Sequence, residues 1–246
     1  MTTYVLIHGG GMGGWTWKYV AGPLRAAGHE VHTPTLTGFG ERVHLLSADV
    51  TNDVHVTDVI NVLHYEDLRD VVLVGHSYGG TVIPGVVAQA ADRVAHIVYL
   101  DAIVPEAGES VVVAMGSMSE EQAASTLAAV RAGQAGPGTS VDATVPANRR
   151  RTNPLDMATE RQEWLLGRLS DMPLAAVASP ITVGADILSD VIGRPVDYIA
   201  AAADPTMAAH HDRARKLGWI VHDWDCDHAL NVGRADEVGA FLRERG

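Results

Sequence analysis

Short apolar runs rich in β-branched residues recur at Tyr4–Ile7, Val71–Val74, Val94–Leu100, Val196–Ala202 and Trp219–Val221, with helix-like segments between most of them. Runs without polar alternation suit strands that are buried on both faces, as in a parallel sheet. Parallel strands need crossover segments, and helices in that role cover the two faces. A further short strand is predicted around Glu30–Thr33, after a helix over roughly Trp17–Ala27 that Gly28 can terminate. The pattern therefore predicts an α/β fold with a mostly parallel sheet of about six strands and helices on both faces.

The rhythm breaks between Val104-Pro105 and Arg194-Pro195. Helical patterns at Ser119–Arg131 and Pro154–Leu169 surround the Gly/Pro-rich stretch Gly133–Pro146. Asn153 can cap the second helix, and Pro154 fits its first turn. The expectation is a core built from residues 1–104 and 195–246, with a helical insertion at 105–194 that contains a loose connector, all in one compact unit.

Composition narrows the class. With 47% hydrophobic and 20% charged residues among 246, the chain is neither disordered nor membrane-like. Its net charge of −12 opposes binding to phosphate backbones, so nucleic acid is not an expected partner. Cys226 is the only cysteine, which rules out an intrachain disulfide and suits a reducing interior, hence a cytoplasmic location. The start of the chain lacks the basic flank and apolar run of a signal peptide, and no later stretch is apolar enough to span a bilayer, so no membrane association is expected. No metal-ligand spacing appears, so neither a metal nor another cofactor is expected. A small-molecule substrate is the expected partner, and a homodimer is compatible with the sequence.

Candidate chemistry begins at Gly75-His76-Ser77-Tyr78-Gly79, which follows the Val71–Val74 strand and precedes a helix-like run over Gly80–Ala91. Strand, sharp turn and helix are the setting of a nucleophile elbow, where flanking glycines let the backbone crowd while the serine hydroxyl projects outward. A second motif, His8-Gly9-Gly10-Gly11, follows the first strand. Small residues there can aim backbone N–H groups at a developing oxyanion, with Gly10 and Tyr78 as the expected donors. Serine needs a base, and the base needs an orienting acid. Among 12 histidines, His228 lies late in the chain after the last strand, where the order Ser, Asp, His expects the base. His76 should point away from the nucleophile, and His210-His211 falls within a helix. Asp204, just past Val196–Ala202, is the first choice for the acid, and Asp101, just past Val94–Leu100, is its rival. Asp223, Asp225 and Asp227 fit turn or strand-end positions better.

These residues resemble the α/β-hydrolase superfamily, and within it the small methylesterase and hydroxynitrile-lyase branch that includes plant salicylate-binding esterases. The resemblance runs from Val5-Leu6-Ile7-His8-Gly9-Gly10 and Gly14-Trp15-x-Trp17, through Gly75 to Gly80, to Asp204 and Asp227-His228-Ala229. It implies the α/β-hydrolase fold with a helical cap over the active site. Lyases of that branch carry a threonine after the first-motif histidine and a lysine after the catalytic histidine. Here Gly9 and Ala229 stand at those places, which turns the expectation toward ester hydrolysis. Gly9 and Trp164 are the candidate substrate contacts, although Trp164, Met157, Leu165 and Leu169 at helical spacing also fit the cap's own apolar face. The expected reaction is cleavage of a small to medium, largely apolar carboxylic ester through an acyl-enzyme. The same site acting on a lactone, thioester or C–C bond is an alternative, and a ligand receptor on this scaffold is a third reading.

Overall fold

The computed structural model describes residues 1–144, 157–193, 195–203 and 205–246. The main sheet contains β1 (Thr3–Ile7), β2 (Glu30–His32), β3 (Val71–His76), β4 (Val94–Leu100), β5 (Asp197–Ala201) and β6 (Ile220–Trp224). Its order is β2-β1-β3-β4-β5-β6, with every neighbouring pair parallel. The longer helices are α1 (Lys18–Ala26), α2 (Asn52–Tyr65), α3 (Ile83–Ala90), α4 (Glu120–Arg131), α5 (Thr159–Leu166), α6 (Ala208–Lys216) and α7 (Ala235–Arg243).

The strand residues alternate between two apolar layers. Tyr4 and Leu6 of β1 pack with Val20 and Leu24 of α1 and with Val238 and Leu242 of α7. Val5 and Ile7 face the opposite layer, which contains Val56 and Val59 of α2 and Ile83, Val86 and Val87 of α3. Removing both faces of the inner strands β1, β3, β4 and β5 from water is the main driving force for this sandwich, at roughly 25 cal/mol per Å² of apolar surface. Gly28 ends the α1 segment as expected. It adopts φ +87°, its N–H reaches Arg25 O at 3.0 Å, and the N–H of His29 reaches Leu24 O at 3.1 Å.

Between β4 and β5 no described residue joins the main sheet. Instead α4, α5 and short helical turns surround a two-residue antiparallel ribbon that pairs Gly138–Thr139 with Met172–Pro173. α4 opens on a capping box in which Ser119 and Gln122 satisfy each other's backbone N–H groups. The start predicted for the following helix, Asn153 and Pro154, lies outside the described residues. The stretch from Gly133 is not loose as far as it is described: it forms the ribbon and then a 3-10 turn at Val141–Thr144. Pairing this short leaves no periodic signal in a sequence. The insertion is tied to the first-motif loop by the Ser170 N–H, which donates to Gly11 O at 2.8 Å. Among the described residues, no helix is long and apolar enough to cross a membrane.

Candidate active site

The strand order reverses between β1 and β3. Such a switch point opens a crevice at the carboxyl ends of the strands. His8 follows β1 directly, Ser77 follows β3, Asp101 follows β4 and His228 lies in the loop after β6. Four loops from different strands thus deliver their groups to one place.

Ser77 sits at φ +52°, in the left-handed region, where a non-glycine residue carries about 1–3 kcal/mol of strain. The turn is tight enough to explain its two glycines. A methyl on Gly75 would come within 2.9 Å of the Gly79 carbonyl oxygen, and one on Gly79 within 2.7 Å of Ile7 O. The 3-10 turn Ser77–Thr81 then leads into α3, as the motif predicts.

His228 Nε2 lies 2.8 Å from Ser77 Oγ, and its Nδ1 lies 2.6 Å from Asp101 Oδ2. An ionised carboxylate only accepts, so Nδ1 carries the proton of the neutral ring and Nε2 accepts the Ser77 hydroxyl proton. Among the described residues the acid at His228 is Asp101, the rival candidate from the sequence; Asp204, the first choice, lies outside the described residues. Asp101, at φ +42°, prolongs the β4 ladder by donating its N–H to Ile199 O at 2.7 Å, which fixes its backbone at the strand end. Burial acts to raise the Asp101 pKa. Hydrogen bonds from His211 and His228 and the charges of those rings overcome it and leave the group at about 2. Asp223 pairs with Arg215, and Asp227 accepts the Ala229 N–H at 2.7 Å within its own turn.

His76 stays out of this line but supports it. Its pKa is lowered to about 3, by burial first and then by the charge of His228, so the ring is neutral. Its Nε2–H donates to the backbone carbonyl of His228 at 2.8 Å.

The His8–Gly11 loop, the candidate oxyanion site, is held from behind. His8 is fully buried, with its pKa lowered to about 4 by burial. Its Nε2 accepts the Leu36 N–H at 3.0 Å, so Nδ1 carries the proton and donates to Gly9 O at 2.8 Å. A planar trans peptide points its C=O and N–H in opposite directions, so fixing Gly9 O directs the Gly10 N–H the other way. Tyr78 is anchored similarly. Burial lowers the His55 pKa to about 4, and Nε2–H of this neutral ring donates to Thr37 O at 2.8 Å. The bare Nδ1 therefore accepts the Tyr78 hydroxyl proton at 2.7 Å. As the second residue of a helical turn, Tyr78 has a backbone N–H with no partner within that turn.

Gly9 lies against the nucleophile, since a methyl there would stand 3.0 Å from Ser77 Cβ and 2.9 Å from His76 Nδ1. The Trp164 ring meets Trp15 edge-on at 5.1 Å and Tyr19 at 5.2 Å, and packs on the apolar cluster that contains Ala229, the neighbour of His228. Leu165 is buried in the same cluster with Met12, Ala229 and Val232, and Met157 packs against it, whereas Leu169 is exposed. Two contacts near the site are not announced by the sequence. Met172, carried by the ribbon, lies over the oxyanion loop so closely that a methyl on Gly10 would come within 2.5 Å of its sulfur. His211 donates to Asp101 from a helix in which nothing but its neighbour His210 marked it.

Comparison with known proteins agrees with this architecture. A family model described as the alpha/beta hydrolase family matches residues 4–241. The carbendazim hydrolyzing esterase of Nocardioides sp. (strain SG-4G) is 32% identical, over the whole length of both chains. Methylesterase 2 of Arabidopsis thaliana is 23% identical across 98% of this chain and 90% of its own. Among solved structures, a methylesterase from Arabidopsis superposes with a TM-score of 0.74 at 20% identity, covering 100% of this chain and 98% of that one. An extracellular alpha/beta-hydrolase from a Paenibacillus species, described as sharing homology with tobacco salicylic acid binding protein 2, gives 0.73 at 23%, covering 100% and 99%. With its parallel sheet, its elbow serine and a family match across nearly its entire length, the chain belongs to the alpha/beta hydrolase family.

Proposed function

We propose that the protein is a carboxylic-ester hydrolase that works through an acyl-enzyme on Ser77. The observation that carries this reading is the hydrogen-bonded line from Ser77 Oγ through His228 to Asp101, at 2.8 and 2.6 Å. His228 takes the Ser77 proton as Oγ attacks the carbonyl carbon, and Asp101, still ionised, stabilises the imidazolium that forms. The N–H groups of Gly10 and Tyr78 receive the charge on the carbonyl oxygen. His228 then protonates the departing alkoxide, and water repeats the sequence to release the acid.

The relatives named as esterases and methylesterases make methyl esters the first substrates to try. Met172 over the loop, with the nearby cluster of Met12 and Leu165, favours a largely apolar substrate of small to medium size. The single thiol, Cys226, is buried and pushed up to about 12, first by burial, and fits work in a reducing compartment such as the cytoplasm. The test is turnover of p-nitrophenyl acetate and a panel of methyl esters by wild type and Ser77→Ala, with fluorophosphonate labelling mapped by mass spectrometry. Turnover and label should both vanish in the variant. Undiminished turnover would overturn the reading.

A further inference from the structure

Asp101 is fully buried, yet three N–H groups converge on its carboxylate. His228 Nδ1–H meets Oδ2 at 2.6 Å, while His211 Nε2–H at 2.6 Å and the Ala201 backbone N–H at 3.0 Å both meet Oδ1. The His211 bond is as short as that of His228, but ester cleavage as described above gives His211 no task. Its ring is held in place: it lies in the first turn of α6, is buried, and meets Tyr198 edge-on at 5.7 Å. Tyr198 is fixed in turn by donating its hydroxyl proton to Ala102 O at 2.8 Å.

We propose that His211 is a positioning residue for ester cleavage, holding the far oxygen of Asp101 so that the near oxygen and its charge face His228. The proposal rests on reading Ser77, His228 and Asp101 as a catalytic triad. A carboxylate can rotate about its Cβ–Cγ bond. With Oδ1 gripped by two donors, Oδ2 has one direction left, toward Nδ1. The same donors stabilise the ionised form, which burial would otherwise disfavour. His211 also draws negative charge toward Oδ1 and so limits how strongly Asp101 favours the imidazolium form of His228. Its own proton does not move, since the Ser77 proton travels to His228 Nε2 and on to the leaving alkoxide. Among the described residues, the charged and titratable groups around His211 and its carboxylate are Asp101 from the end of β4 with His228 beyond it, Tyr198 from β5, Cys226 after β6, and His210, Asp212 and Arg215 on α6.

Two substitutions separate positioning from bulk. His211→Phe keeps a ring and removes the donor, whereas His211→Gln supplies an amide N–H near the place of Nε2. Both are assayed with p-nitrophenyl acetate across pH, alongside wild type and thermal melts. Losing a hydrogen bond to a charged group in the Phe variant should lower kcat about tenfold to a hundredfold and leave KM within about threefold. The acid limb of its kcat/KM profile should move to higher pH, because the unshared charge raises the affinity of His228 for a proton and Asp101 itself protonates sooner. His211→Gln should restore most of kcat and return the limb toward wild type. If the Phe variant does not fold, His211→Asn, with an amide too short to reach Oδ1, takes its place. An unshifted acid limb, or a Gln variant as impaired as the Phe variant, would overturn the proposal. Failure of the wild type to cleave any ester would sink the triad reading instead.

Discussion

A carboxylate serves a catalytic histidine only if its strand end, backbone angle and rotamer all agree. Asp101 satisfies the three through its ladder bond to Ile199, its φ of +42° and its three donors. Replacing it with Asn keeps the shape and removes the charge, and the amide's N–H can oppose that of Nδ1 and favour the wrong tautomer. By analogy with other serine hydrolases, Asp101→Asn should lower kcat about 10⁴-fold with little change in KM, as read by steady-state kinetics on p-nitrophenyl acetate. A loss of less than tenfold would remove Asp101 from the mechanism. Ser77, Gly75 and Gly79 were legible in the sequence because their requirement is local, a tight turn between a strand and a helix. The role of Asp101 was less legible, because Asp101 and Asp204 both follow a strand and the contact of Asp101 with His228 spans 127 positions of chain. His211 was hidden for the same reason: its partner is 110 positions away.

At the scale of elements, five of the six strands announced themselves through apolar runs, β2 followed from its place after the Gly28 stop, and α4 appeared within a residue of its predicted span. The ribbon that carries Met172 did not, since two paired residues set no period. That ribbon holds a flexible thioether over Gly10, where a substrate carbonyl would seat its oxygen. Met172→Ala should therefore enlarge the space above the loop. Turnover of esters with bulkier acyl groups is expected to rise relative to acetate, at a stability cost of about 2–5 kcal/mol for the lost core side chain. An acyl-chain series and a urea titration test both parts. An unchanged chain-length preference would place Met172 away from the acyl path.

For the whole molecule, the buried histidines set a pH limit to stability. Burial, first among the causes in each case, lowers His8, His55 and His210 from 6.5 to about 4 and His76 to about 3. The unfolded chain protonates these rings at the ordinary value and the folded chain resists, so stability is complete above pH 6.5 and falls as the pH drops toward 4. Two carboxylates extend the decline. Asp101 and Asp197 resist protonation down to about 2: burial opposes them, but histidine hydrogen bonds prevail. Their contribution is present above 3.8, the unfolded value, and is lost between there and about 2. Urea midpoints at pH 7.5, 6 and 4.5 should fall steadily, and a flat series would contradict this account.

The left-handed backbone of Ser77 sets activity and robustness against each other. The serine proposed as the nucleophile is also a residue the fold would prefer to exchange, because glycine occupies φ +52° without steric cost. After allowing for the extra freedom glycine gains in the unfolded chain, Ser77→Gly should relieve about 1 kcal/mol. A chain of this size should then melt about 2–4 °C above wild type while cleaving nothing. Selection for heat tolerance alone would therefore drift toward a sturdier, silent protein, and on the proposed function the strain at the elbow is what catalysis costs the fold.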